Sequence, residues 1–203
     1  MYEVFNKELS YIKDEKIRNS LKTMLNLLPE YFYQIPASST GKYHPEFTLG
    51  DGGLVRHTKA AVRIAYELLQ NPSLNNFTEE EKDLLLFALT VHDGLKNGRV
   101  KGRYTAIDHP IQMSNYVKES KDKLELTDSQ IDLICRCIAT HMGPWTTDFD
   151  GNEVLEPPKD KYQRFVHMCD YLASRKFLNI KFENNEIVWN WRNKSSVLFY
   201  YKL

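Results

Sequence analysis

Apolar residues recur at helical spacing along most of the chain and at strand spacing only near its end. From Asn6 to Leu28 they fall mostly at three- and four-residue steps: Leu9, Ile12, Ile17, Leu21, Met24, Leu25 and Leu28. That period predicts a helix. Pro29 and Pro36 bracket Tyr31-Phe32-Tyr33, and a polar loop then runs from Ala37 through Lys42 and His44 to Gly50-Asp51-Gly52-Gly53. Loops of that length are often functional. A second helix is expected from Gly53 to about Gln70, with Asp51 as its cap and Pro72 beyond its end. His57, Ala61, Ile64 and Leu68 form its inward stripe, which leaves Lys59, Arg63 and Glu67 largely on other faces.

Thr78-Glu79-Glu80-Glu81 is a capping box that opens a third helix. There Leu85, Ala88, Leu89 and His92 share one face, and the element stops at Gly94. Asp108-His109-Pro110 reads as a further helix start, with Asp108 as cap and Pro110 in the first turn. A second capping box, Thr127 to Gln130, precedes a stripe of Ile131, Ile134, Ile138 and His141 that Gly143-Pro144 ends. The polar stretch from Trp145 to Asp160 reads as a loop. Lys161 to Leu178 is the last predicted helix, with Asp170 set among Phe165, Val166, Cys169, Leu172 and Ala173. Beyond it the period changes. Ile180 to Glu183 and Glu186 to Trp189 flank Asn184-Asn185, which predicts a β-hairpin. The aromatic tail from Trp191 to Leu203 is a candidate extra strand. The expected architecture is all-α and a single domain over residues 1–203. Its helical core is about 53–178, its N-terminal helix and loop 1–52, and its β appendage 179–203.

Composition narrows the function classes. The 203 residues carry 27 basic and 27 acidic side chains. A zero net charge argues against coating nucleic acid or an anionic membrane by bulk charge. Three cysteines without zinc-finger spacing suggest free thiols and a reducing compartment. No apolar run is long enough to span a bilayer, and the N-terminus lacks the pattern of a signal peptide. The expectation is a cytoplasmic protein with no membrane partner.

Several helix core faces end in chemistry rather than in hydrocarbon. His57, the pair His92-Asp93, His141 and Asp170 all point inward, and His109 lies at a helix start. Burying that many imidazoles and carboxylates costs several kcal/mol unless partners neutralise them. One or two divalent metals would do so. The donors are nitrogen and carboxylate oxygen without thiolate, which suits Fe, Mn, Co, Ni or Zn better than Ca. His57, His92, Asp93 and Asp170 can supply one metal, and Asp93 can bridge to a second held by His109 and His141. Such a pair suits displacement at phosphorus.

This ordered set, with the strings Gly52 to Thr58, Thr140 to Gly143 and His167 to Tyr171, resembles the HD-domain superfamily of metal-dependent phosphohydrolases. The resemblance covers about Gly53 to Phe177. It implies an HD-type helical bundle, and the extra histidines are similar to the branch that holds two metals. Hydrolases of diadenosine tetraphosphate, cyclic-dinucleotide phosphodiesterases and 3′-end exonucleases belong to that branch. In many relatives a lysine follows the aspartate by three residues, where Lys96 stands here. This chain reads His-Asp-Gly-Leu-Lys, whereas relatives often place the glycine directly before the lysine.

The resemblance implies a phosphohydrolase acting on a nucleotide ester or anhydride through a hydroxide shared by the metals. Asp93 and Lys96 would be its catalytic residues. Lys42, His44, Lys96, Arg103, Trp145 and Arg175 are the candidate substrate contacts. A cyclic dinucleotide and a nucleic-acid 3′-end are the alternative substrates. A nucleotide-binding domain without catalysis, partnered through the aromatic tail, is the non-enzyme alternative.

Overall fold

The computed structural model describes residues 1–38, 40–42, 44–178 and 180–188. Among the described residues, seven α-helices form the body: α1 (Asn6–Leu9), α2 (Glu15–Leu27), α3 (Gly53–Gln70), α4 (Glu79–Val91), α5 (His109–Glu119), α6 (Asp128–Ala139) and α7 (Lys161–Ala173). Short 3-10 turns lie at Tyr2–Phe5, Glu30–Tyr33, Glu46–Thr48 and Lys121–Lys123. One antiparallel hairpin follows, β1 (Phe182–Glu183) and β2 (Glu186–Ile187), with Phe182 opposite Ile187. Asn184 and Asn185 turn it with φ of 50° and 63°, the left-handed conformation that asparagine tolerates. The proposed extra strand and Trp189 lie outside the described residues.

Helix α4 is the axis of the bundle. Every residue from Asp83 to Val91 is buried, because α2, α3, α6 and α7 all pack on it. A helix apolar on all sides must be enclosed in this way. Its N-terminus is fixed by the expected capping box of Thr78 and Glu81. Thr127 and Gln130 form the second expected box on α6. Asp160 and Gln163 form a third on α7, which the sequence reading passed over. Among the described residues, no helix is long and apolar enough to cross a membrane.

The structure corrects five expectations. The first predicted helix is two, because the chain breaks between Leu9 and Glu15. Buried Asp83 accepts the backbone N–H groups of Lys13 (3.0 Å) and Asp14 (2.8 Å), and Asp14 caps α2 by accepting from Ile17. Those bonds give partners to backbone N–H groups at the break that have none within either helix. Asp51 does not cap α3; that position belongs to Gly52 at φ 68°, without a side-chain bond. Asp108 stands at the N-cap of α5, but its carboxylate accepts from Gln112 instead of the backbone. Lys59 is completely buried. Its ammonium lies 3.4 Å from Glu8 and 2.5 Å from Glu186, tying α1, α3 and the hairpin together. The last predicted helix also stops early, at Ala173, so Arg175 lies just past its end.

Candidate metal centre and adjoining cavity

The bundle gathers the imidazoles and carboxylates from the ends of separate helices. His57 lies in the second turn of α3, His92 and Asp93 follow the last turn of α4, and His109 opens α5. His141 follows α6 and Asp170 lies in α7. The four histidines and Asp93 are essentially inaccessible.

Asp93 sits between two donor groups. Its Oδ2 lies 3.5 Å from His92 Nε2 and 3.9 Å from His57 Nε2. Its Oδ1 lies 3.0 Å from His109 Nε2 and 3.5 Å from His141 Nε2. Asp170 Oδ1 completes the first group, 2.9 Å from His57 Nε2 and 3.4 Å from His92 Nε2. Two sets therefore have donor atoms within 4.8 Å of one another, His57 with His92 and Asp170, and His92 with Asp93 and His141. His109 approaches both His141 and Asp93, so all six predicted donors meet in one place.

Three rings share a further feature. His92 Nδ1 donates to Leu89 O at 2.7 Å, His109 Nδ1 to Ala106 O at 2.6 Å, and His141 Nδ1 to Ile138 O at 2.8 Å. Each carbonyl belongs to the residue three positions earlier. Bonds of this kind fix a histidine tautomer and leave the Nε2 lone pair facing a metal. The Nε2 atoms of His109 and His141 then face each other at 3.2 Å, an arrangement of two acceptors that needs a cation. Among the described residues, His92 Nε2 and Asp93 Oδ1 have no hydrogen-bond partner although both are buried. Unpartnered polar atoms in a dry interior are costly. The donor set, its lone pairs and its orphaned atoms fit a divalent metal.

The electrostatics match. Burial disfavours the charged form of Asp93, but Lys96, His92 and the neighbouring imidazoles hold its carboxyl well below the usual range. Asp170 is likewise held low, with His57 and His92 overcoming burial. Burial pulls the His92 imidazolium down, yet Asp93 and Asp170 push it up to about 10. Burial and the neighbouring His92 and His109 lower His141 to about 4. The cluster thus holds its carboxylates ionised beside imidazoles of opposite tendency.

Lys96 Nζ donates to Asp93 Oδ2 at 2.5 Å. Gly94 makes the intervening turn possible, since a Cβ there would lie 2.6 Å from Leu28 Cδ2 and 2.8 Å from Met113 Sδ. The His-Asp-Gly-Leu-Lys order therefore has a packing reason, and it still brings Lys96 to Asp93.

A cavity of about 540 Å³ opens on these residues. Lys96, His109, His141 and Asp170 line its floor together with predicted contacts His44, Trp145 and Arg175. His44 lies edge-on to His57, with ring centroids 5.7 Å apart, and burial lowers it to about 4. Trp145 stacks on Tyr171 at 5.9 Å and 16°, and the Arg175 guanidinium lies 4.2 Å over the other partner, Tyr171. Arg175 also donates to Ser174 Oγ. Lys42 and Arg103 do not line this cavity. Arg103 instead lies against the Tyr104 ring.

The sequence reading missed Ser38, Thr105, Met142, Tyr171 and Ser174 as lining residues. Ser174 carried a signal, being one helical turn beyond Asp170 on the same face. Ser38 and Thr105 carried none, because they come from loops far apart in the chain. His167, outside the donor set, braces it: its Nδ1 meets His141 O at 2.7 Å.

A family model of the HD domain matches residues 54–175, a span that contains all six clustered donors. The chain belongs to the HD-domain family. HD domains are metal-dependent phosphohydrolases in general, and they bind divalent metals. No curated protein and no solved structure matches the chain. The donor cluster of this HD domain is thus built from helix ends, and its cavity is walled by the loops that join them.

Proposed function

We propose that this HD domain hydrolyses a phosphate ester of a nucleotide, using one or two divalent transition metals held by His57, His92, Asp93, His109, His141 and Asp170. The observation that carries the reading is the position of Asp93. One carboxylate oxygen faces His57 and His92, and the other faces His109 and His141. Metals bound there would make a water nucleophilic near neutral pH and draw charge from the phosphoryl oxygens.

The chain's own residues supply the rest. Asp93 holds the two halves of the donor cluster in register. Lys96 brings a fixed ammonium to the cavity floor, where it donates to a phosphoryl oxygen as charge accumulates. Trp145 and Tyr171 offer a flat apolar wall to a base, and Arg175 adds a cation at its edge. Deep burial of the donor cluster strengthens each of these interactions.

The test is a panel of nucleotide mono- and diesters with Mn, Co, Ni, Fe and Mg, read by free phosphate and product mass. Metal-dependent release of a nucleoside or a nucleotide is the expected result. Nucleotide binding without turnover under every metal would instead favour a non-catalytic binding domain.

A further inference from the structure

The loop that carries His44 is closed at its base. Ala37 N–H donates to Thr48 O at 3.0 Å, and Thr48 N–H donates to Pro45 O at 3.1 Å. Thr48 is buried, and Gly53 packs so closely on it that a Cβ there would lie 2.0 Å from Thr48 O. Ala37, Ser38 and His44 of this loop line the cavity beside the donor cluster. His44 Nδ1 is buried and has no hydrogen-bond partner among the described residues. The placement of that ring therefore rests on the loop backbone and on packing.

The C-terminal hairpin grips the same loop. Phe182 of β1 stacks on Phe47, with ring centroids 5.1 Å apart and planes 25° apart. Asn185, at the turn, accepts from Arg56 Nη1 at 3.0 Å. The same guanidinium donates from Nε to Phe47 O at 2.5 Å and from Nη2 to Leu49 O at 2.8 Å. Arg56 thus ties the hairpin to the loop, and the next residue in α3 is the donor His57. Glu186 of β2 adds its ion pair with buried Lys59, also in α3. A two-stranded hairpin is marginally stable at best alone in water. Docking on Phe47, Arg56 and Lys59 orders it, and the loop gains the same contacts.

We propose that the hairpin is a clasp that positions His44 at the cavity, with Phe182 as a positioning residue that acts through Phe47. This rests on the phosphohydrolase reading above only in that His44 then faces a substrate. Release of the hairpin leaves the loop closed between Ala37 and Thr48 but frees the Phe47 side. His44 then loses its fixed place. The six donors lie in neither the loop nor the hairpin, so they stay where they are.

The experiment compares the full chain with Phe182→Ala and with the conservative Phe182→Tyr. Tryptic cleavage after Lys42, in the loop, is expected to rise about tenfold in the alanine variant, because cleavage follows the opened population. Cleavage after Lys101, between α4 and α5, is expected to stay within about twofold. In the zinc-loaded chain the Cε1–H proton resonance of His44, assigned by its loss in His44→Gln, is expected to shift, and those of His109 and His141 are expected to hold. The tyrosine variant should match the parent throughout. With manganese, KM for p-nitrophenyl phosphate should rise about fivefold in Phe182→Ala, and by less than about twofold when His44→Ala is already present. A His44 resonance that stays in place would overturn the inference. So would cleavage after Lys42 that is unchanged or matched by an equal rise after Lys101, or KM losses that add in the double variant. If the parent hydrolyses no ester, the phosphohydrolase reading fails separately, and cleavage and resonance still decide the clasp.

Discussion

Lys96 and Asp93 are joined inside the protein, ammonium to carboxylate, with Nζ 2.5 Å from Oδ2 at the floor of the cavity. A buried ion pair is by itself weak support for stability, and on the proposed reading the Lys96 ammonium meets the charge that develops on a phosphoryl oxygen. Lys96→Met is expected to lower kcat by roughly 10²- to 10³-fold, the loss typical of one preorganised donor to a developing oxyanion. Metal content should stay at the parent level. Elemental analysis beside steady-state kinetics checks both. A variant that keeps its metal and its kcat would remove Lys96 from the chemistry.

Gly143 lies at φ 69°, and a Cβ there would come within 2.1 Å of the His167 ring. His167 in turn holds the backbone oxygen of His141. Gly143→Ala therefore adds left-handed strain and displaces a brace of the donor cluster. A loss of about 2 kcal/mol is expected, which lowers Tm by roughly 4–8 °C for a chain of this size. Thermal unfolding measures it. An unchanged Tm would show that the ring and the turn relax freely.

Lys59 and Glu8 form an ion pair with both side chains buried. Removing one member leaves the other charge without its partner. Lys59→Met alone is expected to cost about 3 kcal/mol, whereas Lys59→Met combined with Glu8→Leu should recover most of that. Urea denaturation of the single and double variants is the measurement. Equal losses in the two would show that the pair acts independently of its charges.

Burial pushes the Cys135 thiol up to about 11 and the Cys137 thiol up to about 12, and it raises Cys169 as well. A thiol is neutral below its pKa, so raised values remove thiolate at ordinary pH. At pH 8 the thiolate fraction is on the order of one in a thousand or less. The folded protein is expected to resist iodoacetamide at that pH and to take up three labels once unfolded, the number of its cysteines. Intact mass gives the count. Rapid labelling of the folded chain would contradict the buried placement.

Much of the site was legible because its donors interrupt apolar stripes. His92 and His141 each end a run of core positions, and Asp170 is set among the apolar positions Phe165, Val166, Cys169, Leu172 and Ala173. No local pattern explains them, so the sequence points to a shared partner. The helices were legible for the usual reasons of period and capping, as at Thr78 and Thr127. What the sequence hid depends on contacts between distant segments. The break before α2 is held by Asp83, about seventy residues away. Lys59 reads as a surface charge until α1 and the hairpin bring Glu8 and Glu186 to it. Ser38 and Thr105 join the cavity wall only because two loops meet over the cluster.

The central claim is that one cluster of six side chains binds divalent metal and that turnover depends on it. Metal content of protein purified without chelator, for the parent and for His92→Ala and Asp93→Ala, tests that most directly. The parent is expected to carry one to two transition-metal ions per chain, and both variants are expected to lose metal and hydrolysis together. Parent protein that hydrolyses nucleotides while holding no transition metal, or an Asp93→Ala variant that retains full metal-dependent turnover, would contradict the account.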